Sequence, residues 1–108
     1  LGYNWGRIHG RNGVDIANSC GTPVYAAADG IIQLAKNSGW NGGFGKFAKI
    51  VHQNGTETLY AHLAKVTTTV GESVLKNQQI GLIGSTGRST GCHLHFEVHG
   101  ARNPLAKY

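Results

Sequence analysis

The sequence predicts an antiparallel all-β domain. Short runs of alternating apolar and polar residues recur at close spacing along the chain, the pattern of half-buried strands. Asp29-Gly30 and Asn54-Gly55 stand between such runs, and these dipeptides favour the positive φ of two-residue hairpin loops. No stretch carries the apolar period of a helix. With 108 residues the chain can form one compact domain with a modest core, so residues 1–108 are read as a single domain.

Residues 1–13 are glycine-rich, carry Tyr3, Trp5 and His9, and read as a loop. Residues 13–17 form a strand candidate with Val14 and Ile16 on one face and Asp15 on the other. A carboxylate within so apolar a run is costly to bury unless it is paired or coordinated. Residues 24–28 and 31–35 are strands about the Asp29-Gly30 turn, and residues 36–45 form a polar glycine loop with Trp40 and Phe44. Strands follow at 47–52 and 58–63 about Asn54-Gly55. A turn with a strand start is expected at 70–74, a strand at 79–83 and a loop at 84–91, and Asn103-Pro104 closes the chain. No signal-peptide pattern is visible, and a chain opening at Leu1 reads as a trimmed domain.

The net charge is +5, with the basic residues scattered. Scattering argues against a nucleic-acid-binding stripe and leaves solubility or a general attraction to anionic surfaces. No apolar run is long enough to span a membrane. The 17 glycines lie between strand candidates without a collagen period.

The stretch with most chemistry is GCHLHFEVHG, residues 91–100. As a strand it places His93, His95, Glu97 and His99 on one face and Leu94, Phe96 and Val98 on the other. Three imidazoles and a carboxylate in a row make poor strand filler and good metal-site material. The competing reading is a pair of surface histidines on an exposed strand. In residues 59–63 Tyr60 and His62 are expected on one face, with Leu59, Ala61 and Leu63 on the other. His52 and His99 read as ordinary exposed residues. An open zinc centre needs three protein ligands and a water, and a His, Asp, His set is acceptable.

Four stretches carry a family likeness: HGRNGVDIA with CGTPVYAAADG, then GGFGKFAKIVHQNGTETLYAHL, then VGESVLKNQQIGLIGSTGRSTGCHLHFEV, and finally NPLAKY. Together they cover nearly the whole chain, and GSTGRSTG followed by HLHFEV is specific. The chain resembles the lysostaphin-type zinc endopeptidases of bacterial peptidoglycan. The resemblance implies His9, Asp15 and His95 as zinc ligands, and His62 and His93 as catalytic residues. The sequence departs from the commonest family pattern in two places. His9 lies six positions before Asp15, with Arg11 at the usual position, and Cys92 stands where Pro often precedes the HLH run.

The activity so implied is zinc-assisted peptide hydrolysis outside the cytoplasm, whether extracellular, periplasmic or at the cell wall. One of His62 and His93 takes the water's proton, and the other stabilises the oxyanion or protonates the leaving amine. Which does which is open. Glu97 is expected to pair with a nearby Arg, ahead of supporting a ligand. The expected architecture is two antiparallel sheets, with the loops bearing Trp40, Phe44 and Ser89-Thr90 walling a groove for peptidoglycan peptides. The expected partners include neither nucleic acid nor an inserted membrane, and the domain is expected to act as a monomer. If Asp15 and His95 meet at one metal, the segments carrying Cys20 and Cys92 are neighbours. A Cys20–Cys92 disulfide is then expected, against the alternative of two free thiols.

Two other function classes compete with the enzyme. A degenerate homologue would keep the fold as a binding or regulatory module, but such chains typically lose ligands, and every ligand type is present here. A lipoyl- or biotinyl-type carrier is suggested by residues 70–74 followed by 79–81. That class needs an exposed Lys in a two-residue hairpin turn, and no Lys here sits in one.

Overall fold

The computed structural model describes residues 8–9 and 13–100. In this span the strands are β1 (Ile8–His9), β2 (Gly13–Ala17), β3 (Pro23–Tyr25), β4 (Gly30–Lys36), β5 (Lys46–His52), β6 (Glu57–Val66), β7 (Ser73–Val74), β8 (Gln79–Ile83) and β9 (His93–His99). The helical content of the described residues is one short 3-10 turn, Asn41–Gly43. The strand pairings are antiparallel.

The two expected sheets share a strand. One runs β1-β2-β9-β6-β5-β4-β7, and the β3–β8 pair joins it at β6. The first half of β6 pairs β9, from Glu57↔His99 to Ala61↔His95. Its second half pairs β8, from Leu63↔Ile83 to Val66↔Gly81.

Asn54-Gly55 closes the β5–β6 hairpin as expected, with Val51 opposite Glu57. Asp29-Gly30 does not close a hairpin. β3 pairs β8, while β4 pairs β5 and β7. Asp29 instead pins the crossover between the sheets: its side chain accepts the Lys76 N–H at 2.7 Å and its carbonyl accepts from His52 Nδ1 at 2.7 Å. Residues 8–9, read as loop from their glycine-rich surroundings, are a strand, because Ile8 and His9 pair with Val14 and Gly13. Asn103-Pro104 lies outside the described residues.

Cross-strand register fixes what each face carries. On one face Val14, Phe96 and Tyr60 are in line, with Ile16, Leu94, Ile50 and Leu63 nearby. This face joins Val24, Ile80 and Ile83 from the β3–β8 branch in the main core. Phe96 and Tyr60 pack with ring centroids 5.4 Å apart. His52, expected to be exposed, is 7% exposed on this core face. Its Nδ1–H donates to the Asp29 carbonyl, so its Nε2 accepts from Thr58 Oγ1 at 2.8 Å, and Thr58 meets the Tyr60 hydroxyl at 2.8 Å. Burial is tolerated because both ring nitrogens have partners.

On the opposite face Asp15, His95 and Ala61 are in line, with Glu97 beside Leu59. Phe47, Leu59 and Ala61 form a second, smaller apolar cluster there, with Phe44 packed against it. That cluster is the floor of the candidate active site.

Cys20 and Cys92 form a disulfide with Cα atoms 5.3 Å apart and a sequence separation of 72. It ties the segment after β2 to the start of β9. On the chain-entropy model a loop of that length contributes ~4 kcal/mol. The Cys20→Ser/Cys92→Ser protein is therefore expected to unfold at lower denaturant by about that free energy. Alkylation of the parent without reductant should add no label, and two added labels would contradict the pairing.

Candidate active site

β2 and β9 set the centre of the site. Because Asp15 lies opposite His95 on paired strands, their side chains rise together from one face. Asp15 Oδ1 is 2.7 Å from His95 Nδ1 and 3.8 Å from His93 Nε2. The other His95 ring nitrogen, Nε2, is 2.7 Å from Glu97 Oε2. His99 Nε2 lies 2.5 Å from Glu97 Oε1. Glu97 therefore does not take the expected Arg among the described residues. Arg88 lies over the Trp40 ring, 5.9 Å from its centroid, and two residues of Glu97's own strand hold its carboxylate.

β6 delivers His62 by breaking its own alternation. With regular pleating His62 would share the face of Tyr60, as expected from sequence, and point into the core. Instead His62 has φ +62°, and the pairing of β6 slips a residue between Lys46 and Ala48. This β-bulge puts Ala61 and His62 on the site face and returns Leu63 to the core. The left-handed backbone is unfavourable for a residue with a Cβ. It is held by hydrogen bonds from His62 N–H to the Phe44 carbonyl at 2.8 Å and from Gly84 N–H to the His62 carbonyl at 3.1 Å.

The rings of His62 and His93 are 4.8 Å apart by centroid, and His62 and His95 are 5.9 Å apart. His62 Nδ1 donates to the Thr86 carbonyl at 2.7 Å. His93 Nδ1 donates to the Gly91 carbonyl at 3.1 Å, with Ser89 Oγ at 3.2 Å. A carbonyl only accepts, so in both neutral rings the proton sits on Nδ1 and the lone pair on Nε2. The resemblance points to both histidines, and the structure brings their rings together; the anchors escape a sequence reading, because backbone carbonyls leave no residue signature.

Two loops wall the site. In residues 40–45 and 85–91 the backbones touch: Arg88 N–H donates to the Gly43 carbonyl at 2.8 Å. A Cβ on Gly45 would lie 2.4 Å from Gly87 N, and one on Gly87 would lie 2.4 Å from Gly43 O. Both glycines also have positive φ, so neither can take a side chain without parting the loops. Phe44 stacks on His95 at 6.2 Å between centroids. The resulting groove, about 400 Å³, is lined by Asp15, Phe44, His62, Arg88, Ser89, Thr90, His93 and His95, among others. Trp40, expected in the wall, is 55% exposed behind Arg88.

The site thus unites Asp15, His62, His93 and His95. Of His9, the structure gives the backbone, paired with Gly13 two residues along β2 from Asp15; its side chain lies outside the description. Among the described residues no group of three His, Cys, Asp or Glu is placed to hold a metal. Asp15 and His95 face one another at 2.7 Å.

The model of peptidase family M23 matches residues 9–107. The chain belongs to peptidase family M23. This M23 chain is 48% identical over 96 residues to the DD-carboxypeptidase/endopeptidase Mpg of Neisseria meningitidis, covering 89% of this chain and 21% of that protein. To the peptidoglycan DD-endopeptidase ShyA of Vibrio cholerae it is 41% identical over 92 residues, 85% of this chain and 21% of that protein. It therefore spans about a fifth of the length of these curated relatives. Among solved structures, the catalytic domain of lysostaphin from Staphylococcus simulans superposes with a TM-score of 0.76 at 36% identity, covering 91% of this chain and 76% of that one. A zinc-containing peptidase from Vibrio cholerae superposes with a TM-score of 0.71 at 38% identity, covering 91% of this chain and 32% of that one. The lysostaphin-type resemblance and the all-β fold read from the sequence both stand.

In this M23 site two ionisations are displaced. Burial holds His62 below its ordinary value of 6.5; the Thr86 carbonyl opposes that, and the neighbouring His93 and His95 add to it. For Glu97, burial alone would raise the carboxyl, but hydrogen bonds from His95 and His99 outweigh it and set it below its ordinary 4.5. Both lowered values mean that the folded state binds fewer protons than the unfolded chain, so each group's stability contribution grows with pH. His62's is complete above 6.5 and is lost as pH falls through its lowered folded value. Glu97's is complete above 4.5 and is lost on further acidification. Urea unfolding of the metal-free protein should show stability falling in these two windows, and His62→Gln should flatten the upper one.

Proposed function

We propose that this chain is the catalytic domain of a zinc-dependent endopeptidase acting outside the cytoplasm on peptide bonds of bacterial cell-wall peptidoglycan, in the cross-bridge or the stem peptide. The observation that carries the proposal is the convergence of His62 and His93. They come from different strands, their rings are 4.8 Å apart, and each is pinned through Nδ1 on a backbone carbonyl beside the Asp15–His95 pair.

The donor chemistry fits zinc. Both nitrogens of His95 face carboxylate oxygens at 2.7 Å, yet a neutral imidazole has one N–H. With that proton turned to Glu97, the Nδ1 lone pair and the Asp15 carboxylate point at each other, an arrangement relieved by a cation between them. Asp15 and His95 would hold zinc, with His9 as the third donor, completing a His, Asp, His set with an open position. The chemistry zinc supplies when bound is polarisation of the scissile carbonyl and acidification of a water.

The protein's own residues do the rest. One of His62 and His93 accepts the attacking water's proton at Nε2, and the other, protonated, stabilises the oxyanion or gives its proton to the departing amine. The lowered ionisation of His62 keeps its lone pair available at neutral pH. The backbone-to-backbone contact of the glycine loops leaves a narrow groove that suits an extended peptide with small residues. The relatives named as peptidoglycan endopeptidases support this substrate class, and the disulfide supports an oxidising compartment.

Purified peptidoglycan incubated with the protein should release soluble peptide-bearing fragments. Chelator should stop the release, and zinc should restore it. Release that persists in a protein stripped of metal would contradict the proposal.

A further inference from the structure

On the polar face of β9, beyond the donors and the two bases, stand Glu97 and His99, which the chemistry above leaves without a task. We propose that Glu97, itself steadied by His99, is a positioning residue that fixes the His95 ring. It takes the Nε2 proton and so leaves the Nδ1 lone pair directed at Asp15. The inference rests on the reading of His95 as a metal donor.

Strand geometry makes the arrangement. Residues 95, 97 and 99 are successive positions on one face of β9, so neighbouring side chains reach each other along the pleat. Glu97 Oε2 takes His95 Nε2 at 2.7 Å, and Oε1 takes His99 Nε2 at 2.5 Å. With one ring on each oxygen the carboxylate cannot turn without losing a bond. Burial increases toward the centre: the side chains of His99, Glu97 and His95 are 42%, 18% and 15% exposed. His99 is thus the outer strut, within reach of water, and Glu97 the inner one.

Both His95 nitrogens lie 2.7 Å from a carboxylate oxygen, Nδ1 from Asp15 and Nε2 from Glu97, so a cation held between His95 and Asp15 would leave Nε2 as the proton's place. An ionised carboxylate only accepts, and the neutral ring has one proton to give. Bound to Glu97, that proton is on Nε2. A histidine binds a metal through an unprotonated nitrogen, and the partner of its other nitrogen sets which one that is. Glu97 therefore selects the tautomer, and Phe44, stacked on His95 at 6.2 Å, limits tilting of the ring. The contrast with His62 and His93 is informative. Those rings are held through Nδ1 on backbone carbonyls and offer Nε2, whereas His95 is held through Nε2 on a carboxylate and offers Nδ1.

Two readouts test this. The first needs no metal: long-range proton–nitrogen NMR of the His95 ring in the metal-free protein. The parent should show a proton on Nε2, and Glu97→Ala should lose it to Nδ1, where the Asp15 carboxylate still lies 2.7 Å away. The second is zinc affinity by competition with a chromophoric chelator. Glu97→Ala should weaken binding by ~10–100-fold, the usual effect of removing such a partner, with the melting temperature recorded on the same sample. Glu97→Gln, whose amide oxygen can still accept the Nε2 proton, should recover much of the loss. His99→Ala should give a smaller loss and serves where Glu97→Ala does not fold. A folded Glu97→Ala protein with parent zinc affinity and a proton still fixed on Nε2 would overturn the proposal. If the parent binds no zinc, the metal reading fails instead, and the tautomer measurement still decides the role of Glu97.

Discussion

His62→Ala and His93→Ala proteins are each expected to keep their zinc and their fold and to lose peptidoglycan cleavage by ~10²-fold or more, the usual cost of removing a positioned acid–base group. In the proposed reading neither ring holds the metal. Their Nδ1 atoms donate to Thr86 and Gly91, which leaves each Nε2 lone pair for proton transfer, and the proposed donors are on other residues. The double variant should lose much less than the product of the single losses, because groups that act as a unit are not additive. Zinc content, melting temperature and turnover measured on the same preparations separate this from a structural role, which would lower the first two together. The His62 variant carries an additional structural term. Its φ of +62° is as uncomfortable for Ala as for His, so His62→Gly is the companion that removes the ring and relieves the backbone. A His62→Ala protein that cleaves at the parent rate would remove His62 from the mechanism.

Asp15→Ala and His95→Ala are expected to abolish stoichiometric zinc binding, beyond the ~10–100-fold losses that follow from changing a residue behind a ligand. Each removes one of two proposed donors that face one another at 2.7 Å; His93 and Glu97 share the face, but in the proposed reading they serve as a base and as the partner of His95. Of the remaining histidines, His52 has both ring nitrogens engaged on the opposite, core face, and His99 is tied to Glu97. The family resemblance implies His9 as the third donor, and on that reading His9→Ala should release zinc as well. Elemental analysis of the three variants after dialysis against metal-free buffer checks the set. A His9→Ala protein that retains full zinc would assign the third position to another donor.

Much of the fold is legible in the sequence because alternation and turn residues carry it. β2, β5, β8 and β9 follow from apolar periodicity, and Asn54-Gly55 marks its hairpin. The same logic places Asp15 and His95 on polar faces, which antiparallel pairing then joins. What is not legible depends on departures from regularity. The face of His62 escapes a sequence reading because one left-handed residue shifts the alternation, and no side chain at that position announces it. Asp29-Gly30 has the composition of a hairpin, but its carboxylate and carbonyl are used by Lys76 and His52, contacts that only the tertiary fold creates. His52 has the sequence surroundings of a surface histidine because its compensating partners, Asp29 and Thr58, are a backbone carbonyl and a hydroxyl. An arginine is the expected partner of Glu97 because opposite charge is the commoner pairing, whereas strand spacing gives it two imidazoles.

The most direct measurement is chemical analysis of the products from purified peptidoglycans of different cross-bridge type. Each would be digested with the zinc-loaded protein and assayed for new amino termini and new reducing sugar ends. The expected result is new amino termini at one class of peptide bond, with no new reducing ends. Reducing ends without amino termini, or intact peptidoglycan after treatment with a folded protein that holds its zinc, would contradict the assignment of peptide hydrolysis to this site.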